Sequence, residues 1–323
     1  MEEILRWGLI GCGDVTEVKS GPALQRAVGS QLLRVASRRP EQAAAWARRH
    51  AVPHWHADIG ELLAAPDIDA VYIATRPDSH CELTLRVAAA GKAVLVEKPM
   101  ALDPAECEAM IAACRSAGVP LWVAYYRRAL PRFLAIRELL AGEAIGALRA
   151  VHWRQLRPLP APDRQSTAGH QWRVDPVRSG GGLFFEAACH ALDALDFLLG
   201  PLEQVQGLAA NQAGAWAPED IVSATWRHGG DGPRAAGCWA ACCGATVPGW
   251  RRSPPRSSAA AAASPGPRCE VVRCRSPVTA LPKSCRFPTR PTCTSRWRRP
   301  SWGSGSDEAA ARAAASRHCA PPG

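Results

Sequence analysis

The sequence predicts an α/β protein: an N-terminal doubly wound parallel sheet, then an α+β domain on a mixed or antiparallel sheet that is incomplete toward its C-terminal end. Three observations lead there. Across residues 1–123, short runs rich in Val, Ile and Leu alternate with helical segments of about ten to fifteen residues, the rhythm of parallel strands joined by crossover helices. A glycine-rich turn separates the first strand from the first helix. Beyond residue 123 the rhythm changes to alternating strands around one long apolar helix. A chain of 323 residues also exceeds the size that one core usually serves, so two domains are expected, 1–123 and 124–244, with 245–323 as a tail of different character.

The elements follow in order. "LRWGLI", residues 5–10, reads as a strand, and residues 15–27 as the first helix. "QLLRVAS" is the second strand, "RPEQAAAWARRH" is helical after Pro40, "HWHA" is a short strand and "DIGELLA" a short helix. "DAVYIAT" reads as a buried strand, and "PDSHCELTLRVAAAG" as a helix capped at Asp78 or Ser79 and stopped at Gly91. "AVLVEKP" is the next strand, closed by Pro99, which cannot donate to a ladder. "DPAECEAMIAACRSAG" has Asp103 as N-cap, Pro104 at the first helical position and Gly118 at the end, and "PLWVAYY" closes the series. In the second domain, "FLAIRELLAGEAIG" reads as a helix, "ALRAVHWRQLRP" as an alternating strand, "GGGLFFEAACHALDALDFLLG" as a helix with an apolar stripe, and "VQGLAAN" and "DIVSATWRH" as strands.

Composition bounds the class. The N-terminal "MEEILRW" carries acids where a secretion signal needs bases, and no apolar run reaches the length of a membrane span. A cytoplasmic protein with no membrane partner is expected. The 13 cysteines are scattered without a CxxC pair, which points to neither a metal site nor a disulfide framework. The net charge of +10 is local: residues 1–244 hold 25 Lys and Arg against 26 Asp and Glu, whereas residues 245–323 hold 14 against 3.

"GLIGCGDVT" places Gly11 and Gly13 between strand and helix, so that backbone N–H groups through Asp14 and Val15 can face a pyrophosphate at the helix's positive end. That is the fingerprint of a dinucleotide-binding Rossmann domain, with Thr16 in place of its third glycine. The second strand ends in "ASRRP", where an NAD site would carry an acid for the ribose hydroxyls. Ser37 and Arg38 suit a 2′-phosphate instead, so NADP is expected, with NAD as the alternative. The bland reading of Arg38 is a solvated charge at a helix start. Glu97 and Lys98 stand at a strand's carboxyl end, the edge where open parallel sheets bind ligands.

With the glycine turn, "ATRPDSH", "EKP" and "GGGLFFEAACHALD" in this order, the chain resembles the Gfo/Idh/MocA oxidoreductases over about residues 4–230. The family's EKP matches Glu97-Lys98-Pro99, and its glycine-rich Asp-x-x-x-His-x-x-Asp helix matches residues 180–193, with Glu186 where the pattern has Asp. The resemblance implies hydride transfer between NAD(P) and a sugar, cyclitol or related alcohol carbon. It also implies a small-molecule sugar or polyol substrate and a homo-oligomer, although part of the family's association surface lies in the doubtful tail.

Local chemistry agrees. On a helix, positions 186, 190 and 193 share a face, so Glu186, His190 and Asp193 form a polar stripe among Phe184, Leu192 and Leu195. Alcohol oxidation needs a base for the hydroxyl proton, the role assigned to His190. The family's lysine maps to Lys98, a cation for the developing alkoxide, with Glu97 orienting it or bordering the nicotinamide. The plainer reading of His190 is a satisfied helix histidine, and Asp193 could equally cap or salt-bridge locally. Trp172 and Arg173 in "WRVDPVRSGGG" border the substrate by resemblance, or the tryptophan simply packs. Tyr126 and Arg127 in "YYRR" are substrate contacts on the same ground, and Thr75, Pro77 and His80 line the cofactor side, or form an ordinary loop and cap.

From about Cys243 the pattern fails, and Arg, Pro, Ser, Ala, Cys and Trp dominate. One reading is a disordered basic arm for nucleic acid or an acidic partner. The other is a shifted reading frame: "TCTSRWRRPSW", regrouped one base earlier in GC-rich codons, gives HVHQPLAEAIV, an amphipathic helix. The second reading is preferred. The overall expectation is therefore an NADP-dependent oxidoreductase using Lys98, Glu186 and His190, against a non-catalytic NAD(P)-binding sensor or an inactive frameshifted family member.

Overall fold

Strands that are apolar on both faces must be covered on both faces, and the N-terminal unit does this with two layers of helix. The computed structural model describes residues 4–158, 171–229, 239–247 and 268–270. The chain divides into two units, the first running to Tyr125 and the second beginning at Tyr126.

In the first unit, β1 (Leu5–Ile10), β2 (Ser30–Ala36), β3 (His54–His56), β4 (Ala70–Ile73), β5 (Ala93–Val96) and β6 (Leu121–Val123) form one parallel sheet in the order β3-β2-β1-β4-β5-β6. The helices are α1 (Gly21–Arg26), α2 (Pro40–Arg49), α3 (Ile59–Ala64), α4 (His80–Ala89) and α5 (Pro104–Ser116). Side chains alternate across the sheet. Leu9, Val35 and Tyr72 join Leu24, Ala43 and Trp46 on one side, while Ile10, Ile73 and Val96 join Leu62, Val87 and Met110 on the other. The edge opposite the candidate site is pinned electrostatically: Arg6 pairs with Asp69 at 2.7 Å, and the buried Lys92 Nζ donates to Ala65 O and Ile68 O at 2.9 and 3.0 Å.

The helix expected over residues 15–27 is interrupted. Thr16–Ser20 form a π-helical turn before α1. Pro22 has no N–H and cannot sustain the ordinary ladder there, and Gly21 N–H bonds the Thr16 carbonyl five residues back. A Cβ on Gly21 would lie 2.3 Å from Thr16 O and 2.7 Å from the Trp46 ring, so this glycine sets how closely α1 meets α2. The cap of α4 also differs. Ser79 occupies the N-cap position after a 3-10 turn at Pro77–Ser79, but its hydroxyl bonds Thr75 Oγ1 and Arg76 O instead of a helix N–H. Asp103 caps α5 as expected, accepting from Glu106 N at 2.9 Å.

The second unit contains α6 (Pro131–Ala141), β7 (Ala150–Pro158), the short α7 (Pro176–Ser179), α8 (Leu183–Leu199), β8 (Leu202–Ala210), β9 (Ile221–His228), β10 (Trp239–Val247) and β11 (Arg268–Glu270). The sheet order is β11-β7-β10-β9-β8. It is mixed, since β10 runs parallel to β7 while the other pairs are antiparallel. α8 packs Ala188, Ala191, Leu195 and Leu198 against Val151, Trp153 and Trp226. His228, fully buried, receives the Trp226 Nε1–H at 3.0 Å on Nε2 and therefore carries its proton on Nδ1, which donates to Gly200 O at 2.9 Å. Regular structure continues past residue 244, where it was expected to stop: β10 reaches Val247, and β11 pairs with β7. The rest of 245–323 lies outside the described residues.

Because the space beside Gly21 is already filled by a backbone oxygen and an aromatic ring, Gly21→Ala is expected to lower stability by about 1–3 kcal/mol in urea denaturation. An unchanged midpoint would show that the turn relaxes freely.

Candidate functional site

The strand order 3-2-1-4-5-6 reverses direction between β1 and β4, and in such sheets ligands bind beyond the carboxyl ends at that switch. Hydrogen bonds carry the ladder one residue past those ends: Gly11 N to Ala36 O at 2.9 Å, Ala74 N to Ile10 O at 2.8 Å, and Glu97 N to Ile73 O at 2.9 Å. One edge thus gathers the glycine turn, Ser37, Thr75 and Glu97-Lys98. Gly11 has φ +107°, and a Cβ there would meet Ala74 O at 2.7 Å, whereas a Cβ on Gly13 would meet nothing within 4 Å. The turn is therefore tight against β4 and open outward past Gly13. The Gly13 carbonyl accepts from Thr16 N at 3.0 Å, Glu17 N at 3.1 Å and Thr16 Oγ1 at 2.7 Å, which is why a buried threonine serves where the fingerprint has glycine. Ser37 is buried, with Oγ accepting from Arg39 N at 3.2 Å, and Arg38 is exposed.

Beyond β4 and β5, two side chains fix the loops. The Tyr72 hydroxyl donates to Glu97 Oε1, and Lys98 N donates to Glu97 Oε2 at 3.1 Å. Burial and the neighbouring Glu97 carboxylate push the Tyr72 phenol well above its usual range, so it stays a donor. His80 is fully buried, with Nδ1 3.0 Å from Pro99 O and Nε2 3.2 Å from Thr75 O. It ties the loop after β4 to the loop after β5. A neutral ring can donate to only one of these carbonyls, while burial lowers the pKa and opposes the charged form that could serve both. Pro77 is buried in the turn before it.

In the second unit, α8 presents its polar stripe beside the turn Tyr126–Ala129. His190 is 7% exposed, and the Tyr126 ring meets it edge-on, centroids 5.1 Å apart. Arg173 Nε lies 3.7 Å from Glu186 Oε1, and its guanidinium stacks 4.5 Å over Trp172. Arg128 Nε donates to Asp193 Oδ1 at 2.7 Å, and Arg128 Nη2 donates to Asp196 Oδ2 at 3.0 Å. Burial disfavours the guanidinium charge, but the two carboxylates more than offset this and hold its pKa above the usual value. This face sets an imidazole and a carboxylate, side-chain types able to serve as acid and base, beside arginine partners.

The sequence comparisons agree with this architecture. Residues 5–125 match the oxidoreductase family with an NAD-binding Rossmann fold, and residues 133–245 match the GFO/IDH/MocA C-terminal domain. The chain belongs to the Gfo/Idh/MocA oxidoreductase family. It is 37% identical over 206 residues to oxidoreductase P35 of Formosa agariphila, covering 64% of each chain. It is 34% identical over 194 residues to the 1,5-anhydro-D-fructose reductase of Ensifer adhaerens, covering 60% of this chain and 56% of that one. The chain thus spans less than two-thirds of the length of these relatives. Among solved structures it is similar to the WlbA dehydrogenase of Bordetella pertussis in complex with NADH and UDP-GlcNAcA, with a TM-score of 0.66, 26% identity and coverage of 76% and 68% of the two chains.

Set beside the Gfo/Idh/MocA pattern, the predicted residues fall into two groups. Gly11, Gly13, Asp14, Val15, Ser37, Arg38, Thr75, Glu97 and Lys98 share the switch edge of the first unit, while Tyr126, Trp172, Arg173, Glu186 and His190 gather on and around α8 in the second. Two placements differ from contact with a ligand. His80 is enclosed and acts on its loops, and Asp193, its side chain 2% exposed, takes a salt bridge not with a local residue but with Arg128, far from it along the chain. Arg128, which the sequence did not single out, engages α8 through Asp193; nothing in the spacing of a loop marks such an arginine. Tyr72 was read only as a strand residue, since its role depends on Glu97 across the sheet. Among the described residues no helix is long and apolar enough to cross a membrane.

His80 and His228 both have pKa values lowered by burial from the ordinary 6.5. An unfolded chain takes up these protons near pH 6.5 and the folded chain does not, so their contribution is complete above that pH and lost as pH falls below it, levelling off beneath the folded pKa values. Urea denaturation from pH 7.5 downward should show this acid-side loss, up to about 1.4 kcal/mol per pH unit for each histidine. A smaller loss across that window in His228→Gln, with the His80 part remaining, would assign the His228 share.

Proposed function

We propose that this Gfo/Idh/MocA protein is an NADP-dependent oxidoreductase that moves a hydride between NADP(H) and the alcohol or carbonyl carbon of a sugar, cyclitol or related polyol. The observation that carries this is the gathering of the glycine turn, Ser37-Arg38 and Glu97-Lys98 on one switch edge in a chain of this family. A dinucleotide fits the turn on steric grounds: it is tight where Gly11 meets Ala74 and open beside Gly13. The nicotinamide, when bound, supplies the two-electron hydride acceptor or donor. Residues 11–15 would hold the pyrophosphate, with Ser37 and Arg38 on the 2′-phosphate. The NADH bound to the Bordetella relative keeps NAD as the alternative. The substrate class is supported by that structure's sugar ligand and by the anhydrofructose of the Ensifer enzyme's name.

In the oxidative direction the His190 imidazole would take the hydroxyl proton as the carbon loses its hydride, and return it in reduction. The Lys98 ammonium would stabilise the developing alkoxide, with Glu97 setting its turn. Glu186 would orient the hydroxyl, its extra methylene restrained by Arg173, and Tyr126 and Trp172 would border the sugar ring. A cytoplasmic location and homo-oligomeric association belong to the same reading.

Fluorescence titration should show NADPH binding more tightly than NADH, with Arg38→Ala weakening NADPH about tenfold and leaving NADH unchanged. Equal binding would remove the NADP preference. On a panel of sugars and polyols that includes 1,5-anhydro-D-fructose, His190→Ala and Lys98→Ala should each lower kcat by about 10²-fold or more. Unchanged turnover would remove the assigned roles, and tight NADPH binding with no turnover across the panel would favour the sensor.

We also infer that residues beyond about 245 are read in a shifted frame, since the GFO/IDH/MocA match ends at 245 and the excess of basic over acidic residues lies wholly after residue 244. Sequencing the encoding DNA across codons 235–260 and onward should find a gained or lost base. An intact frame would restore the basic arm, and salt-sensitive DNA binding confined to the tail would then identify its partner.

A further inference from the structure

Within the turn Tyr126–Ala129, one side chain secures the whole turn to α8. Arg128 reaches Asp193 with Nε at 2.7 Å and Asp196 with Nη2 at 3.0 Å, and its guanidinium carbon lies 5.6 Å from the Phe197 ring centroid. Asp193 lies one turn after His190 on the same helix face, and Asp196 follows three residues later. Two residues before Arg128, the Tyr126 ring stands at 72° to the His190 imidazole, 5.1 Å between centroids. Tyr126 is 51% exposed. A planar guanidinium serving two carboxylates fixes direction as well as distance, which a single ammonium does not.

We propose that Arg128 is a positioning residue: by bridging Asp193 and Asp196 it sets the register of the Tyr126 turn on α8 and so holds the Tyr126 ring against His190, fixing the imidazole's orientation for proton transfer. The last step builds on the catalytic reading of His190, whereas the positioning itself can be tested without turnover.

The test uses the full chain with ¹³C-labelled histidine, reading the imidazole ¹H–¹³C resonances and assigning His190 by its loss in His190→Gln. Tyr126→Leu removes the ring current and defines the displacement of the His190 signals that accompanies loss of the contact. Arg128→Ala should move them in the same direction by at least half that displacement, and Arg128→Lys by an intermediate amount. His190 resonances unmoved in Arg128→Ala would overturn the inference. Should Arg128→Ala fail to fold, the lysine variant decides, and unmoved signals there overturn it equally. If the contact proves Arg128-dependent while His190→Ala retains full turnover, the positioning stands and the catalytic role falls; the reverse pair of results removes the positioning alone.

Discussion

The candidate cofactor edge depends on a ladder of backbone hydrogen bonds that runs one residue beyond the ends of the parallel strands. Gly11, Ala74 and Glu97 each donate to the last residue of a neighbouring strand, so the turn, the Thr75 loop and the Glu97-Lys98 pair inherit the rigidity of the sheet. The same ladder demands that Gly11 have no side chain, because the carbonyl of Ala74 occupies the space. Tyr72 and His80 then brace the loops, one through a carboxylate and the other by sitting between two backbone carbonyls, one of which its single N–H can bond. Site geometry at this edge is thus a property of sheet pairing more than of loop sequence.

The second unit uses a different device. α8 is apolar on one face and carries Glu186, His190, Asp193 and Asp196 elsewhere, which would leave several carboxylates with the cost of partial burial. Arginines meet that cost: Arg128 serves the pair at 193 and 196, and Arg173 stands near Glu186. Charges are thereby matched locally in each half of the protein, in agreement with the near balance of basic and acidic residues up to residue 244. Burial leaves the thiols inert by a related route, pushing Cys12 up to about 12 and Cys114 up to about 11.

The fold was largely legible because its signals are local. Val94, Leu95 and Val96 announce a strand buried on both faces, and Asp103-Pro104 announces a helix start whatever lies around it. The exceptions are positions where a competing contact, distant or near, decides. Residues 15–27 suggested one continuous helix, yet with Gly21 held against Trp46 the chain takes a π-helical turn. Ser79 alone suggested a cap, yet Thr75 Oγ1 claims its hydroxyl.

The sequence by itself determined the alternation of strand and helix, the glycine turn, the family motifs and the stripe at 186, 190 and 193, since each is a matter of spacing along the chain. Tertiary structure decided which member of each polar set faces outward and which is consumed in holding the others. Arg128 meets α8, Asp193 is enclosed in an ion pair, His80 is locked between two loops and Tyr72 carries Glu97. Those outcomes depend on distances between residues up to 68 positions apart, and spacing along one chain does not encode which side chain will reach across.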